Sequence, residues 1–385
     1  MFFHQRPVFP DSQKHQKILV VRNDGLGDFV LTLPLISALK KALPQAEVHV
    51  LVSGVVHQLL PLLPDITGGI VDEGVLLKRH RGRLSAQETL KKRTALLREI
   101  QDARFDAAIF SYAEKESAAL IHRAKIPIRV GPLRRGFFWR FNRHNTKSRK
   151  GSSKSEFELN LESLTSLGFS PAYTTPSLTI PSPERPLPKG EYVVMHPYKR
   201  SGTALTWPME RFAAVAQAWA KAGVQVVIVG DQEDTAVLQE RFGGTAATGS
   251  MGILIETGLS LPGLAALIGN AELFVGNSSG PLHLAGLTKT PHVGFFPQNR
   301  VSSPARWQTL PWEQTPKDPA DFLLASEFPR NCVGCDADRC PYFNCVASIP
   351  FSQLASAIQA WGLDHLAEPL EGLSDSSQPK NNWTR

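Results

Sequence analysis

The segment ILVVRNDGLGDFVLTLP, residues 18–34, places a carboxylate, Asp28, in a glycine turn between a strand-like run and a helix start. Such turns commonly hold phosphates, because the N–H groups of a helix N-terminus point at an anion. A carboxylate there would repel one. Two other uses fit. Asp28 can cap the helix, which aspartate does well. Alternatively, it can serve as a general base that takes a proton from a hydroxyl presented at the strand end. Dinucleotide binding fails on two counts. Gly25 and Gly27 begin a G-x-G-x-x-G pattern, but its third position is Val30, and the second strand-like run, ending LVSG, has no acidic residue for a ribose. No Gly-Lys-Ser/Thr follows the turn, so a Walker loop is excluded as well.

Three later strand ends offer the groups that the first lacks. In ELFVGNSSGPLHLAGL, residues 272–287, the turn Asn277-Ser278-Ser279-Gly280 precedes Pro281, a favoured first-turn residue, and His283 follows. That turn reads equally as a phosphate site at a helix end or as an ordinary capped helix with a buried histidine. VMHPYKRSGTALTWP, residues 194–208, supplies His196, Lys199, Arg200, Ser201 and Thr203 as donors. VIVGDQED, residues 227–234, supplies Asp231 and Glu233, which can accept from ribose hydroxyls. Together these groups suit a nucleoside diphosphate.

The elements that must position these residues alternate. Strand-like runs at 17–22, 47–52, 107–111, 192–195, 225–229, 273–275 and 292–296 are almost continuously apolar, as strands buried on both faces are. Amphipathic helical stretches lie between them. Alternation of this kind predicts an α/β fold with parallel sheets. Residues 170–191 are rich in Pro and Ser and read as a linker. The expected architecture is two Rossmann-like domains with parallel sheets facing a central cleft, ligands lying at the carboxyl ends of the strands. The expected boundaries are 15–175 and 190–345, then a helix over 350–365 and a flexible tail over 366–385. A chain of 385 residues is long enough for two domains. The N-terminus lacks the apolar core of a signal peptide, and no run reaches the length of a membrane span, so the expected location is cytoplasmic. Lys and Arg total 42 against 35 Asp and Glu, a formal charge of +7 that favours anionic partners.

R-x-D-x-L-G-D-x-x-L-T-x-P at Arg22–Pro34, the Trp207-Pro208 pair, and V-G-N-x-S-G-P-x-H-L-A at Val275–Ala285 resemble glycosyltransferase family 9. That family contains the ADP-heptose:lipopolysaccharide heptosyltransferases. The likeness runs in order over residues 17–310. It implies a GT-B fold and inverting, metal-independent transfer of a sugar, most simply heptose from ADP-heptose, to a lipopolysaccharide-core-type acceptor. Carried over position by position, it makes Asp28 the catalytic base. The donor is expected on His196, Lys199, Arg200, Ser201, Thr203, Glu233, Ser278, Ser279, Gly280 and His283, read from the three loops of the second domain. Arg22, Gly27, Arg134, Arg135 and Arg140 are assigned to the acceptor. The C-terminal helix would pack back on the first domain. Two positions depart from the family pattern. A lysine is usual where this chain has Leu205, and an acidic residue where it has Ser278. These departures motivate two alternatives: a different nucleotide sugar, or a weakened paralogue that binds a nucleotide or glycolipid.

Two segments carry further expectations. RVGPLRRGFFWRFNRHNTKSRKGSSK, residues 129–154, has no acidic residue and interleaves cations with Phe137, Phe138, Trp139 and Phe141. It reads as a solvated loop, as a single-stranded nucleic-acid surface, or as an element at a lipid interface. The resemblance favours the last: a lipid-anchored anionic glycolipid acceptor, the inner-membrane surface as partner, and no nucleic acid. The only four cysteines, Cys332, Cys335, Cys340 and Cys345, are spaced compactly enough to hold a structural zinc, and reduced free thiols are the alternative.

Overall fold

The computed structural model describes residues 15–77, 84–145, 149, 152–198, 205–243, 252–297, 302–326 and 345–375. Their contacts divide the chain into two units, Met1–Thr179 and Ile180–Arg385.

In the first unit the apolar runs form a parallel sheet of β1 (Lys17–Val21), β2 (Glu47–Ser53), β3 (Gly68–Asp72), β4 (Ala107–Phe110), β5 (Ile128–Pro132) and β6 (Arg143–Asn145). The order is β3-β2-β1-β4-β5-β6, with Val20 aligned to Val50 on one side and Ile109 on the other. Residues 18–21 are fully buried, as a central strand covered on both faces requires. The second unit repeats the plan with β7 (Tyr192–His196), β8 (Gln225–Gly230), β9 (Ile253–Thr257), β10 (Leu273–Asn277), β11 (His292–Phe296) and β12 (Leu323–Ala325), ordered β12-β11-β10-β7-β8-β9. Strand order reverses between β1 and β4 in one sheet and between β7 and β10 in the other. Open α/β sheets bind ligands outside the carboxyl ends of strands at such points.

Residues 170–191 contain no regular element, yet they are fastened. Thr179 N–H donates to the Leu62 carbonyl, the Ser260 N–H and hydroxyl donate to Glu184, and Arg185 pairs with Glu256 at 2.6 Å. The C-terminal expectations need two corrections. Helix Phe351–Gln359, expected against the first domain, packs in the core of the second unit: Phe351, Leu354 and Ile358 join Trp207, Phe212 and Phe295 there. Residues 366–375 are not a flexible tail. Leu366, Ala367 and Leu370 are buried in that same core, and Asp375 accepts from Arg211 at 2.9 Å. Apolar residues spaced three and four apart in 366–370 give that short segment its own buried stripe.

Candidate active site

The chain leaves β1 through Arg22, Asn23 and Asp24 into the short helix Leu26–Val30. The N-cap is Gly25 and no side chain caps the helix, so Asp28 is not spent on capping. It stands in the first turn with about a quarter of its side chain exposed. Gly25 makes that placement possible: a Cβ there would lie 2.8 Å from Asp28 Oδ2. Arg22 holds the other carboxylate oxygen, its Nη2 donating to Asp28 Oδ1.

Arg22 is therefore not an acceptor contact. It is 2% exposed, and its guanidinium is taken up inside the fold: Nε donates to Asp24 Oδ1 at 2.8 Å and Nη1 to Glu156 Oε1 at 3.2 Å. Burying an unpaired guanidinium would cost several kcal/mol, so carboxylates around it are what permit the burial. Burial pushes the Asp24 carboxyl up to about 6, with Arg22 opposing and the Asp28 charge adding to the rise. Asp24 and Glu156 were not among the expected site residues. Asp24 lies inside the recognisable motif, whereas Glu156 is 134 residues from Arg22 and has no local signal.

Of the other residues expected on the acceptor side, Gly27 is half-buried in the turn beside Asp28. Arg134 and Arg135 are exposed between β5 and β6. Arg135 lies within electrostatic reach of Tyr112, whose ring is 5.9 Å from the Arg22 guanidinium carbon. Arg140 donates to the Lys115 carbonyl at 2.7 Å and lies 4.8 Å over Trp139. Over the described residues 129–145 the basic stretch is pinned, Arg129 donating to the Arg140 carbonyl and Asn142 to the Pro127 carbonyl. Phe141 is buried against Phe110 at 5.1 Å and belongs to the core. Phe138 and Trp139 are about half exposed, beside the cations.

In the second unit β7, β8 and β10 are adjacent, and their carboxyl ends carry the expected donor residues. Ser279 and His196 meet at 3.2 Å between Oγ and Nδ1. Burial drives His196 down to about 4, so near pH 7 the ring is neutral: a hydrogen-bonding group, not a cation. Gly280 opens helix Gly280–Thr288, and Ser278 N–H is tied to the Phe295 carbonyl. His283 is 4% exposed and packs 6.5 Å from Trp307, which withdraws it from the surface. Glu233 is exposed in a 3-10 turn after β8. Lys199, Arg200, Ser201 and Thr203 lie outside the described residues, as do Cys332, Cys335 and Cys340; Cys345 is half-buried.

Asn277, expected in the exposed turn, is instead the last residue of β10 and fully buried, and it fixes these loops relative to one another. It accepts from Trp207 N–H and donates to the Pro197 carbonyl, each at 2.7 Å. Trp207 stacks on Phe295 at 4.3 Å and donates to the Ile349 carbonyl. The Trp-Pro pair thus anchors the loop from beneath. Leu205 is 6% exposed in the same core, so this position presents no cation to a ligand.

The sequence profile of glycosyltransferase family 9 (heptosyltransferase) matches residues 93–317. Lipopolysaccharide heptosyltransferase 3 of Escherichia coli is 26% identical over 290 residues, covering 70% of this chain and 80% of that protein. A family 9 glycosyl transferase from Veillonella parvula superposes with a TM-score of 0.70 at 18% identity, over 91% of this chain and 97% of that one. The E. coli ADP-heptose lps heptosyltransferase II gives 0.67 at 19% identity, over 90% and 98%. The chain has the GT-B fold of these structures, with two Rossmann-like domains.

Proposed function

The chain belongs to glycosyltransferase family 9, and from that premise we propose that it transfers heptose from ADP-heptose, with inversion, to a hydroxyl of a lipopolysaccharide-core-type acceptor. The observation that carries the mechanism is the state of Asp28: uncapped, partly exposed and held by Arg22 at the switch point of the first sheet. An inverting displacement needs one base. Asp28 takes the proton of the acceptor hydroxyl as its oxygen attacks the anomeric carbon, and the bond to the nucleotide diphosphate breaks. The diphosphate leaves toward the second domain, where the N–H groups at Ser279 and Gly280 and the Ser279 hydroxyl can balance its charge without a catalytic metal. Lys199, Arg200, Ser201 and Thr203 belong to this donor role, and Glu233 to the ribose.

On the acceptor side, Arg134, Arg135 and Arg140 meet acidic groups of the glycolipid. Phe138 and Trp139 enter the headgroup layer, giving a cytoplasmic enzyme attached peripherally to the inner membrane. Among the described residues no helix is long and apolar enough to cross a membrane. A structural zinc on Cys332, Cys335, Cys340 and Cys345 completes the reading, and metal analysis should find one ion per chain. A second reading keeps the chemistry and changes the donor: Leu205, a departure from the family pattern, is buried and offers a diphosphate no charge.

Calorimetry with ADP, UDP, GDP and CMP, followed by a transfer assay with ADP-heptose, tests the proposal. Selective ADP binding that survives in Asp28→Asn, with turnover reduced about 100- to 10,000-fold, is the expected result. Selectivity for another nucleotide overturns the heptose. Full activity of Asp28→Asn overturns the base.

A further inference from the structure

Helix Glu156–Leu161 carries a pair of buried polar side chains one turn apart, Glu156 and Asn160, that its own stability does not require. Its capping box is complete without them: Ser155 and Glu158 satisfy each other's backbone N–H groups. A carboxylate 3% exposed and an amide fully buried must be held there by something else.

Their partners lie around the turn of Asp28. Glu156 Oε1 accepts from Arg22 Nη1 and from Arg149 Nη1. Asn160 Oδ1 accepts from Arg149 Nη2 at 2.8 Å. Asn160 Nδ2 donates to the Leu31 carbonyl at 2.9 Å and reaches Thr32 Oγ1 at 3.3 Å; that hydroxyl in turn donates to the Asp28 carbonyl. The helix therefore grips the base twice, through the guanidinium that holds its side chain and through the turn that carries its backbone. Arg149 extends the grip to β4 by donating to the Ser111 carbonyl at 2.5 Å. The charged groups of the cluster are Arg22 and Arg149 against Asp24, Asp28 and Glu156, with Tyr112 on the open face of Arg22. Of the three carboxylates Asp28 is the most exposed, at 25% against 11% for Asp24 and 3% for Glu156.

We propose that Glu156 is a positioning residue for the base: it locks the Arg22 guanidinium in the one orientation that presents Asp28 to an incoming hydroxyl, and Arg149 sets how much of Glu156's charge Arg22 feels. The role rests on the reading of Asp28 as the base. Neither Glu156 nor Arg149 touches substrate; both act through Arg22.

The test compares Glu156→Gln, Arg149→Gln and Asp28→Asn with wild type, using ADP-heptose and deacylated lipopolysaccharide core. Glu156→Gln should lower kcat about 10- to 100-fold, as misplacement of a reacting group does, and leave KM for ADP-heptose unchanged. The acid limb of the kcat/KM profile should move to lower pH in Glu156→Gln, where a negative charge beside Arg22 is lost. It should move to higher pH in Arg149→Gln, where a positive one is lost. Loss of packing alone would not give opposite shifts. Arg149 is a third exposed, so its variant tests the idea even where Glu156→Gln folds poorly. A readout independent of turnover is the set of Arg22 side-chain 15N–H signals, expected to be resolved and slow to exchange in wild type and averaged in Glu156→Gln. Unchanged Arg22 signals together with an unmoved acid limb overturn the proposal. If Asp28→Asn remains active the base lies elsewhere, and the Arg22 signals alone decide whether Glu156 is the clamp.

Discussion

A missing Cβ sets the position of the acid proposed above as the base. Alanine at residue 25 would keep an allowed backbone, since φ there is −110°, but its methyl would meet Asp28 Oδ2 at 2.8 Å. Gly25→Ala should therefore lower kcat about 10- to 100-fold while the protein stays folded, because a displacement of about 1 Å at a reacting group is enough. Steady-state turnover beside a thermal melt separates the two effects. Arg22→Met should lower turnover as well and in addition cost about 3–5 kcal/mol of stability by stranding buried carboxylates, which chemical denaturation will read. At this scale the sequence showed the acid and concealed what holds it. Arg22, Gly25 and Asp28 stand within seven residues in a motif whose types suggest chemistry. Glu156 stands in SEFELNL, a run that reads as an ordinary capped helix start, and only the tertiary fold brings it to Arg22.

Strands differ in legibility for a related reason. β1, β2, β4, β7, β8, β10 and β11 all read as strands in the sequence, because burial on both faces makes them continuously apolar. β3, β5, β6, β9 and β12 did not. All but β5 lie at sheet edges, and they are short or interrupted by Gly, Pro and charge (GGIVD, IRVGP, RHN, ILIET, LLA). The C-terminal segment went unread because its buried stripe is only a turn or two long. Truncation after residue 363 should expose the pocket that Leu366, Ala367 and Leu370 fill, costing about 2–5 kcal/mol in a denaturant titration of the second domain. β11 also carries His292, fully buried, with Nδ1 facing the Thr290 carbonyl and Nε2 facing the Thr309 hydroxyl. Nδ1 must donate, and in the neutral ring that burial favours Nε2 accepts from the hydroxyl. Burial lowers the imidazole from 6.5 to about 4. Between those values the unfolded chain takes up a proton that the native one refuses. His292 should thus contribute a loss of about 3 kcal/mol as pH drops from 6.5 to 4, levelling off below. His196 adds a loss of the same sign and Asp24 an opposing gain, so the difference between wild type and His292→Gln isolates it. A difference between the two proteins' unfolding midpoints that stays constant over this interval would contradict the assignment.

Across the whole molecule, two cores built from separate residues should melt separately. Calorimetry should resolve two transitions, and ADP at about 100 times its Kd should stabilise only the second domain, by about 2.7 kcal/mol. The formal charge of +7 and the exposed Phe138 and Trp139 predict binding to anionic vesicles that weakens with salt and is lost on replacing both aromatics with serine. Vesicle sedimentation over a salt series measures it. The order β3-β2-β1-β4-β5-β6 also carries a consequence for synthesis of the chain. β1 emerges first from the ribosome but lies at the middle of its sheet, and it cannot be enclosed until β4 has been made. Arg22 must wait longer still, for Glu156. At about 5–20 residues per second the nascent chain spends several seconds with four consecutive apolar residues and a future buried cation open to solvent. Chaperone demand should therefore be greatest early in translation, and a pause placed before codon 156 should aggravate it.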